Sequence, residues 1–385
     1  MAKFLDGNRL ELLHSGTEYF PALEREIRAA REEIQLDTYI YQDDRTGAAI
    51  TDALCDAALR GVEVRVLVDG FGSRDLSAEF RSRFRASGVR LLVYRPEISR
   101  FRFRRHRLRR LHHKIVVIDA RVAFIGGINI IDDVRESERI PPRYDYAVRV
   151  EGPLLGPIQH EAERIWSQVS WASLRGRWRP VKRRSAQALP AGTQRAALLV
   201  RDNIRHRLEI EDAYLEAIDA AREEILIANA YFFPGIRFRH ALMRAAARGV
   251  RVVLLLQGRV EYVLLHYASR ALYGSLLNAG VEIHEYHRSF LHAKVAVIDG
   301  HWATVGSSNI DPFSLMLARE ANIVVEDPAF AGELRKSLHL ALDNGAQYIV
   351  KNAWRRRSLL RRVHIWLAYG LARFLMGMAG YGGGH

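Results

Sequence analysis

Cysteine is all but missing from this chain of 385 residues: Cys55 stands alone. That excludes a disulfide framework and a cysteine-ligated zinc site. Long apolar runs are missing too. None reaches the roughly 18 residues of a membrane-spanning helix. The nearest stretch, Val363 to Met378, is short and is interrupted by His364 and Arg373. Residues Met1 to Gly7 lack the apolar core of a signal peptide. Lysine is scarce, with Lys3, Lys114, Lys182, Lys294, Lys336 and Lys351 the only six among 58 Lys plus Arg.

Arginine and apolar residues make up for these absences. At 49% hydrophobic and 26% charged, the chain has material for a large core and is neither disordered nor fibrous. Its length suits two domains. Against 44 Asp plus Glu the bases leave a net charge of +14, and that surplus is concentrated. Residues 95–110 hold eight arginines and one acid, Glu97, while 175–184 hold six bases and 351–385 seven, both without an acid. These stretches carry +20 together, which leaves about −6 on the remaining chain. Solvated loops are the plain reading of such runs. Three of them beside aromatic or apolar neighbours point instead to an anionic partner, either nucleic acid or a lipid surface. The tail favours lipid. Arg355, Arg356, Arg357, Arg361 and Arg362 lead into a stretch with Trp366, Tyr369 and Phe374, the pattern of a helix lying in a membrane interface. A terminal helix packed on the protein's own core is the competing reading. The expected location is the cytoplasmic side of a cell membrane, peripherally bound.

An internal repeat organises the chain. Ala30-Arg-Glu-Glu-Ile34 recurs as Ala221-Arg-Glu-Glu-Ile225, and Arg60-Gly-Val62 as Arg248-Gly-Val250. The β-branched runs that follow, Val64–Val68 and Val252–Leu256, read as buried strands after Ala-rich helices. Alternation of helix and strand in each half predicts an α/β layered fold with a largely buried sheet. The domains are expected at 1–174 and 193–350, with a basic linker over 175–192 and a basic amphipathic tail over 351–385. The halves differ at one place: Gly88 to His112 spans 24 residues and Gly280 to His292 only 12. The excess falls on the basic stretch 95–110, which reads as a surface insertion at a binding face.

Each half carries one constellation. The first is His112-x-Lys114-x4-Asp119 followed by Gly126-Gly127-Ile128-Asn129; the second is His292-x-Lys294-x4-Asp299 followed by Gly306-Ser307-Ser308-Asn309. Lys114–Ile118 and Lys294–Ile298 read as strands, so His and Lys two apart share a face. His113 alternates to the other face and reads as packing. The glycines open turns where a backbone N–H can approach an anion, and each Asn adds a donor. This set suits a phosphodiester, which needs a nucleophile, a proton donor for the departing alkoxide and cations over its oxygens. Two imidazoles divide the first two tasks, and the lysines supply compact charges. The motif aspartates, with Asp145 and Glu320 further along, are candidates to orient the imidazoles or balance charge. Lysine is a poor metal ligand and no Cys/His cluster exists, so no metal or cofactor is expected. Neither half has both histidines, so one active site must form between the halves.

These residues resemble the duplicated motif of the phospholipase D superfamily, and within it the bacterial cardiolipin synthases of the B type. Supporting segments are Asp69 to Ser73, Leu111 to Asn129, Asp145 to Pro153, Ile227 to Gly235 and His301 to Pro312. The resemblance covers approximately residues 7–350. It implies two tandem phospholipase D-like α/β domains and metal-independent transfer of a phosphatidyl group between two phosphatidylglycerols, giving cardiolipin and glycerol through a phosphohistidine. By the same analogy His112 is the nucleophile, His292 the general acid and then base, and Lys114, Lys294, Asn129 and Asn309 bind phosphate. Asp145 and Glu320 become partners of the imidazoles. The residues alone permit the histidines to exchange roles. Expected partners are anionic phospholipids and a membrane surface, not nucleic acid. A hydrolase using water and a nuclease of the same superfamily are the alternative activities.

Overall fold

The apolar runs around the two motifs become strands buried on both faces, as their unbroken hydrophobicity requires. The computed structural model describes residues 2–96, 109–132, 141–173, 189–202, 206–261, 263–311, 318–355, 365, 367–371 and 373–374. The first half contributes β1 (Leu5–His14), β2 (Glu33–Thr38), β3 (Glu63–Asp69), β4 (Arg90–Tyr94), β5 (Arg110–Leu111), β6 (Lys114–Ile118), β7 (Val122–Gly126) and β8 (Tyr146–Glu151). The second contributes β9 (Gln194–Arg201), β10 (Glu224–Asn229), β11 (Arg251–Gln257), β12 (Glu282–Tyr286), β13 (Lys294–Ile298), β14 (Trp302–Gly306), β15 (Ala318–Glu326) and β16 (Ala346–Tyr348).

The strand order is β16-β12-β11-β10-β13-β14-β15-β9-β1-β8-β7-β6-β2-β3-β4. Read outward from the β9–β1 junction, the halves repeat one another: β15 matches β8, β14 matches β7, β13 matches β6, and β10, β11 and β12 match β2, β3 and β4. The sequence repeat is thus a structural one. Strands β2, β3 and β4 run parallel to one another, as do β10, β11 and β12, and β5 pairs in parallel with β15; the other neighbours are antiparallel, a mixed sheet. The antiparallel β1–β9 contact joins both halves into one sheet.

Helices cover both faces. In the first half α1 (Ser15–Ala29), α2 (Arg45–Leu59) and α3 (Ala78–Ser87) share a core with β2, β3 and alternate residues of β6, Val116 and Ile118. The other residues of β6, Ile115 and Val117, enter a second core together with α4 (Leu155–Ala172). That core also takes Val295 and Val297 of β13 and the helix Pro328–Gly345, so it belongs to both halves. Such a shared core holds the motif strands at the interface between the halves. The expected insertion over 95–110 lies outside the described residues for positions 97–108, as does the expected linker over 175–192 for positions 175–188. Most of the tail beyond 355 does too.

Candidate active site

Each motif histidine sits just ahead of a motif strand, and its partner comes from the opposite half. In β5, Leu111 pairs in parallel with Arg319, which places His112 beside Glu320. A parallel bridge between Tyr144 and Leu291 places His292 beside Asp145 in the same way. The backbone locks both crossings: His112 N–H and His113 N–H donate to the Arg319 carbonyl at 3.0 and 2.8 Å, and His292 N–H donates to the Tyr144 carbonyl at 2.9 Å. His112 Nδ1 then lies 3.0 Å from the Glu320 carboxylate, and His292 Nδ1 lies 2.6 Å from Asp145 Oδ2. With each Nδ1 turned to a carboxylate, Nε2 is the nitrogen left for chemistry.

The lysines project into the same centre. Lys114 Nζ donates to the His112 carbonyl at 2.6 Å and sits 5.5 Å from the ring centre of Tyr39. Lys294 Nζ donates to the His292 carbonyl, lies 2.8 Å from His292 Nδ1 and 3.7 Å from Asp145 Oδ2. Burial sets the electrostatics. It drives Lys114 down to about 7, helped by the charge of Lys294, and Lys294 itself down to about 8. Burial also lowers both imidazoles; Lys294, Arg143 and Lys114 push His292 well below its ordinary value. The acids diverge. Burial raises Asp145, while at Glu320 the charge of His112, its hydrogen bond and Lys114 outweigh burial and favour the carboxylate.

The motif aspartates stand elsewhere. Asp119 accepts the backbone N–H groups of Arg31, Glu32 and Glu33 at 2.8–2.9 Å, and Asp299 those of Arg222, Glu223 and Glu224 at the same distances. The two repeated signals, Ala-Arg-Glu-Glu-Ile and His-x-Lys-x4-Asp, are therefore bonded to each other. This corrects the expectation that Asp119 and Asp299 orient the imidazoles: Asp145 and Glu320 make those contacts. The glycines are a second correction. Gly127 N–H already donates to the Tyr146 carbonyl at 3.0 Å and is not presented to an anion. The glycine is required because a Cβ there would stand 2.4 Å from Asp145 Oδ1. Asn129, 5% exposed, accepts Ile40 N–H on its side-chain oxygen at 3.1 Å; Asn309 is 4% exposed in the equivalent turn. His113, on the opposite face, is buried with Nε2 3.2 Å from Asp37.

Several contributors carry no motif signal. Ser307 Oγ donates to Glu320 Oε2 at 2.5 Å, from a position whose only mark is the Gly-Ser-Ser-Asn turn. Tyr39 sets the edge of its ring against His112, with centroids 4.9 Å apart. Arg143 binds Glu261 at 3.1 Å, and Tyr231 O–H donates to the same carboxylate. These neighbours are assembled by tertiary contacts, so only their places at strand ends hint at them.

Two imidazoles and two ammonium groups thus share one centre, a set of groups whose chemistry suits a phosphoryl group. Comparison with known proteins shows the family. The family model described as "Cardiolipin synthase, PLD-like domain", PLD denoting phospholipase D, matches residues 23–138 and 214–340. Cardiolipin synthase B of Escherichia coli (strain K12) is 41% identical over 98% of this chain and 90% of its own length. Cardiolipin synthase A of Proteus mirabilis (strain HI4320) is 30% identical over 94% of this chain and 75% of its own. In fold, the chain resembles the phosphatidylserine synthase of Haemophilus influenzae Rd KW20, with a TM-score of 0.74, 13% identity and 97% coverage of each chain. By its duplicated motif, its two matched regions and its identity to these relatives, the chain belongs to the cardiolipin synthase family of phospholipase D-like proteins.

Proposed function

We infer that the protein is a cardiolipin synthase, a phosphatidyltransferase that joins two phosphatidylglycerols and releases glycerol. The carrying observation is the pair of crossed dyads, His112–Glu320 and His292–Asp145, in a chain 41% identical to a cardiolipin synthase B over 98% of its length. In the first step His112 Nε2 attacks phosphorus of the donor. The bond from phosphorus to the headgroup glycerol breaks, and the departing oxygen takes a proton from His292. In the second step His292 takes the proton of an acceptor phosphatidylglycerol hydroxyl. Its oxygen attacks phosphorus, the phosphorus–nitrogen bond breaks, and cardiolipin leaves with His112 restored.

The electrostatics support His112 as nucleophile. Its Nδ1 faces Glu320, whose carboxylate form His112 and Lys114 favour, and an anionic partner stabilises the imidazolium character that develops at attack. Burial lowers both imidazoles, His292 the more strongly, and favours their neutral forms. An arriving phosphodiester anion offsets the positive field of Lys114 and Lys294 and restores a proton to His292. Lys114 and Lys294 bind the phosphate oxygens. Asn129 and Asn309 line the turns after each motif as further donors.

A phosphatidylglycerol substrate supports action at an anionic lipid surface, and the protein is read as bound there peripherally, on the cytoplasmic side. No helix among the described residues is long and apolar enough to cross a membrane. The described part of the tail combines both expectations for it. Trp354 stacks at 5.0 Å on Tyr273, Ile365 is buried, and Tyr369 lies 5.6 Å from Phe233, whereas Leu367, Leu371 and Phe374 are exposed. Residues four and three apart share one side of a helix, so one face holds the core and the other is free to enter the interface.

Purified protein with phosphatidylglycerol vesicles should yield cardiolipin and glycerol by lipid mass spectrometry. His112→Ala and His292→Ala should each abolish turnover and leave vesicle binding intact. Leu367→Glu with Phe374→Glu should weaken vesicle binding. Phosphatidic acid as the sole product would replace the transferase by a hydrolase, and cleavage of single-stranded DNA without lipid turnover would replace it by a nuclease. Unchanged binding of the tail variant would remove the interface role.

A further inference from the structure

Away from the histidine pair, arginines converge a second time without acids. Between α3, the outer strand β4 and the end of α4 lies a cavity of about 880 Å³, within the size range of ligand sites. Its floor is apolar: Leu92 of β4 is only half buried, and Val169 of α4 faces the same space. Beyond β4 no further strand continues the sheet among the described residues. The rim is cationic, formed by Arg81, Arg85, Arg95 and Arg319, and no carboxylate lines it among the described residues.

Two of these cations are only partly satisfied, although Arg95 lies 5.3 Å from the ring centre of Tyr94 and Arg319 bonds Gln168. Arg95 and Arg319 each keep a buried Nη1 without a hydrogen-bond partner among the described residues. The Arg95 guanidinium is depressed first by its burial and then by the charges of Arg109 and Arg319. Half-buried cations close to one another, each with one buried donor unpaired, are costly unless an anion joins them. A phosphate answers both needs, since the guanidinium fork matches its oxygens. The apolar floor below adds a demand that a bare anion does not meet. Arg319 also ties the cavity to the active site. Its carbonyl accepts His112 N–H at 3.0 Å, the next residue, Glu320, holds the imidazole, and its Nη2 donates to Gln168 of α4 at 3.0 Å.

We propose that this cavity is a second anionic-phospholipid site, in which Arg95 and Arg319 hold the phosphate, Arg81 and Arg85 neutralise it further, and β4 carries the apolar part. The proposal rests on the reading that the protein works on phosphatidylglycerol. It gives the molecule a place for a phospholipid other than the one undergoing transfer.

The test titrates the full chain carrying His112→Ala, which does not consume lipid, with monomeric dihexanoyl phosphatidylglycerol in a calorimeter. Two molecules should bind per chain. Adding Arg85→Gln with Arg95→Gln should weaken one of them at least about tenfold, the loss of a charge-assisted hydrogen bond. Leu92→Trp, which fills the floor and leaves every charge in place, should remove the same molecule. Two unchanged sites in both variants would overturn the proposal. So would inorganic phosphate binding with the same arginine dependence and no response to Leu92→Trp, which would make this a simple anion site. Conversion of phosphatidylglycerol by the unmodified protein is measured separately. Its failure, with the second molecule still bound, would remove the transferase reading and leave the site.

Discussion

Lys114 is 3% exposed, and burial together with Lys294 brings its pKa from 10.5 to about 7. Such a residue costs stability in the free protein, because folding strips water from an ammonium group and sets it near a second one. The unfolded chain keeps the proton up to about 10.5 and the folded chain releases it near 7. Between those values the unfolded state binds more protons, so this group makes the folded state more stable as pH rises across that window. Lys114→Met keeps the length and discards the charge. It should abolish turnover, yet raise stability at pH 7 on the order of 1–3 kcal/mol, as uncharged replacements at buried ionic sites do. Denaturation at several pH values checks this. The gain should shrink between pH 7 and 10, and a variant less stable than the parent at pH 7 would refute the assignment.

At the scale of elements, the motif strands divide their polar residues between two tasks. Asp119 and Asp299 adopt the left-handed backbone, with φ of 53° and 49°, and clamp the start of β2 and β10 through three amides each. Asp145 and Glu320 precede or begin strands of one half and reach the imidazole of the other. Asp299→Ala should cost roughly 1–3 kcal/mol of stability, since it strands amides and forces alanine into a left-handed turn. The molecules that fold should retain most of their turnover. Asp145→Asn should do the reverse: near-normal melting, with kcat lowered about 100-fold or more through loss of the anion that fixes His292. Equal loss of kcat per folded molecule in both variants would return the motif aspartates to the catalytic group.

That division shows what was legible. The strands, the histidines and the lysines are readable because they recur at fixed spacing, and an exact repeat survives without knowledge of contacts. The crossed pairing is not readable. Leu111 meets Arg319 across 208 residues, and no local pattern records a register made at such a distance. The aspartates read as catalytic because they travel with the motif, although their bonds are to the other repeated segment. The basic stretches at 97–108 and 174–188 lie outside the described residues, so their charge remains a property of composition.

At the scale of the whole molecule, the halves exchange acids at the active site and also share a sheet and a core. The β1–β9 contact makes their sheets continuous, and one apolar cluster draws Ile115, Val117 and Val148 from the first half together with Val295, Val305 and Leu334 from the second. Covalent continuity between the halves should then contribute little to the assembled state, because the paired strands and the shared core join them without it. A protease site placed within residues 175–188 and cut after folding should leave the two fragments bound together through size-exclusion chromatography. The nicked protein should keep most of its turnover, since both dyads remain intact across the cut. Separation in denaturant should leave each fragment inactive, as each retains one histidine without its acid. Remixing during refolding should restore activity only when both are present. A fragment active by itself would mean that one half builds a complete site, and the crossed dyads would then be a packing arrangement without catalytic consequence.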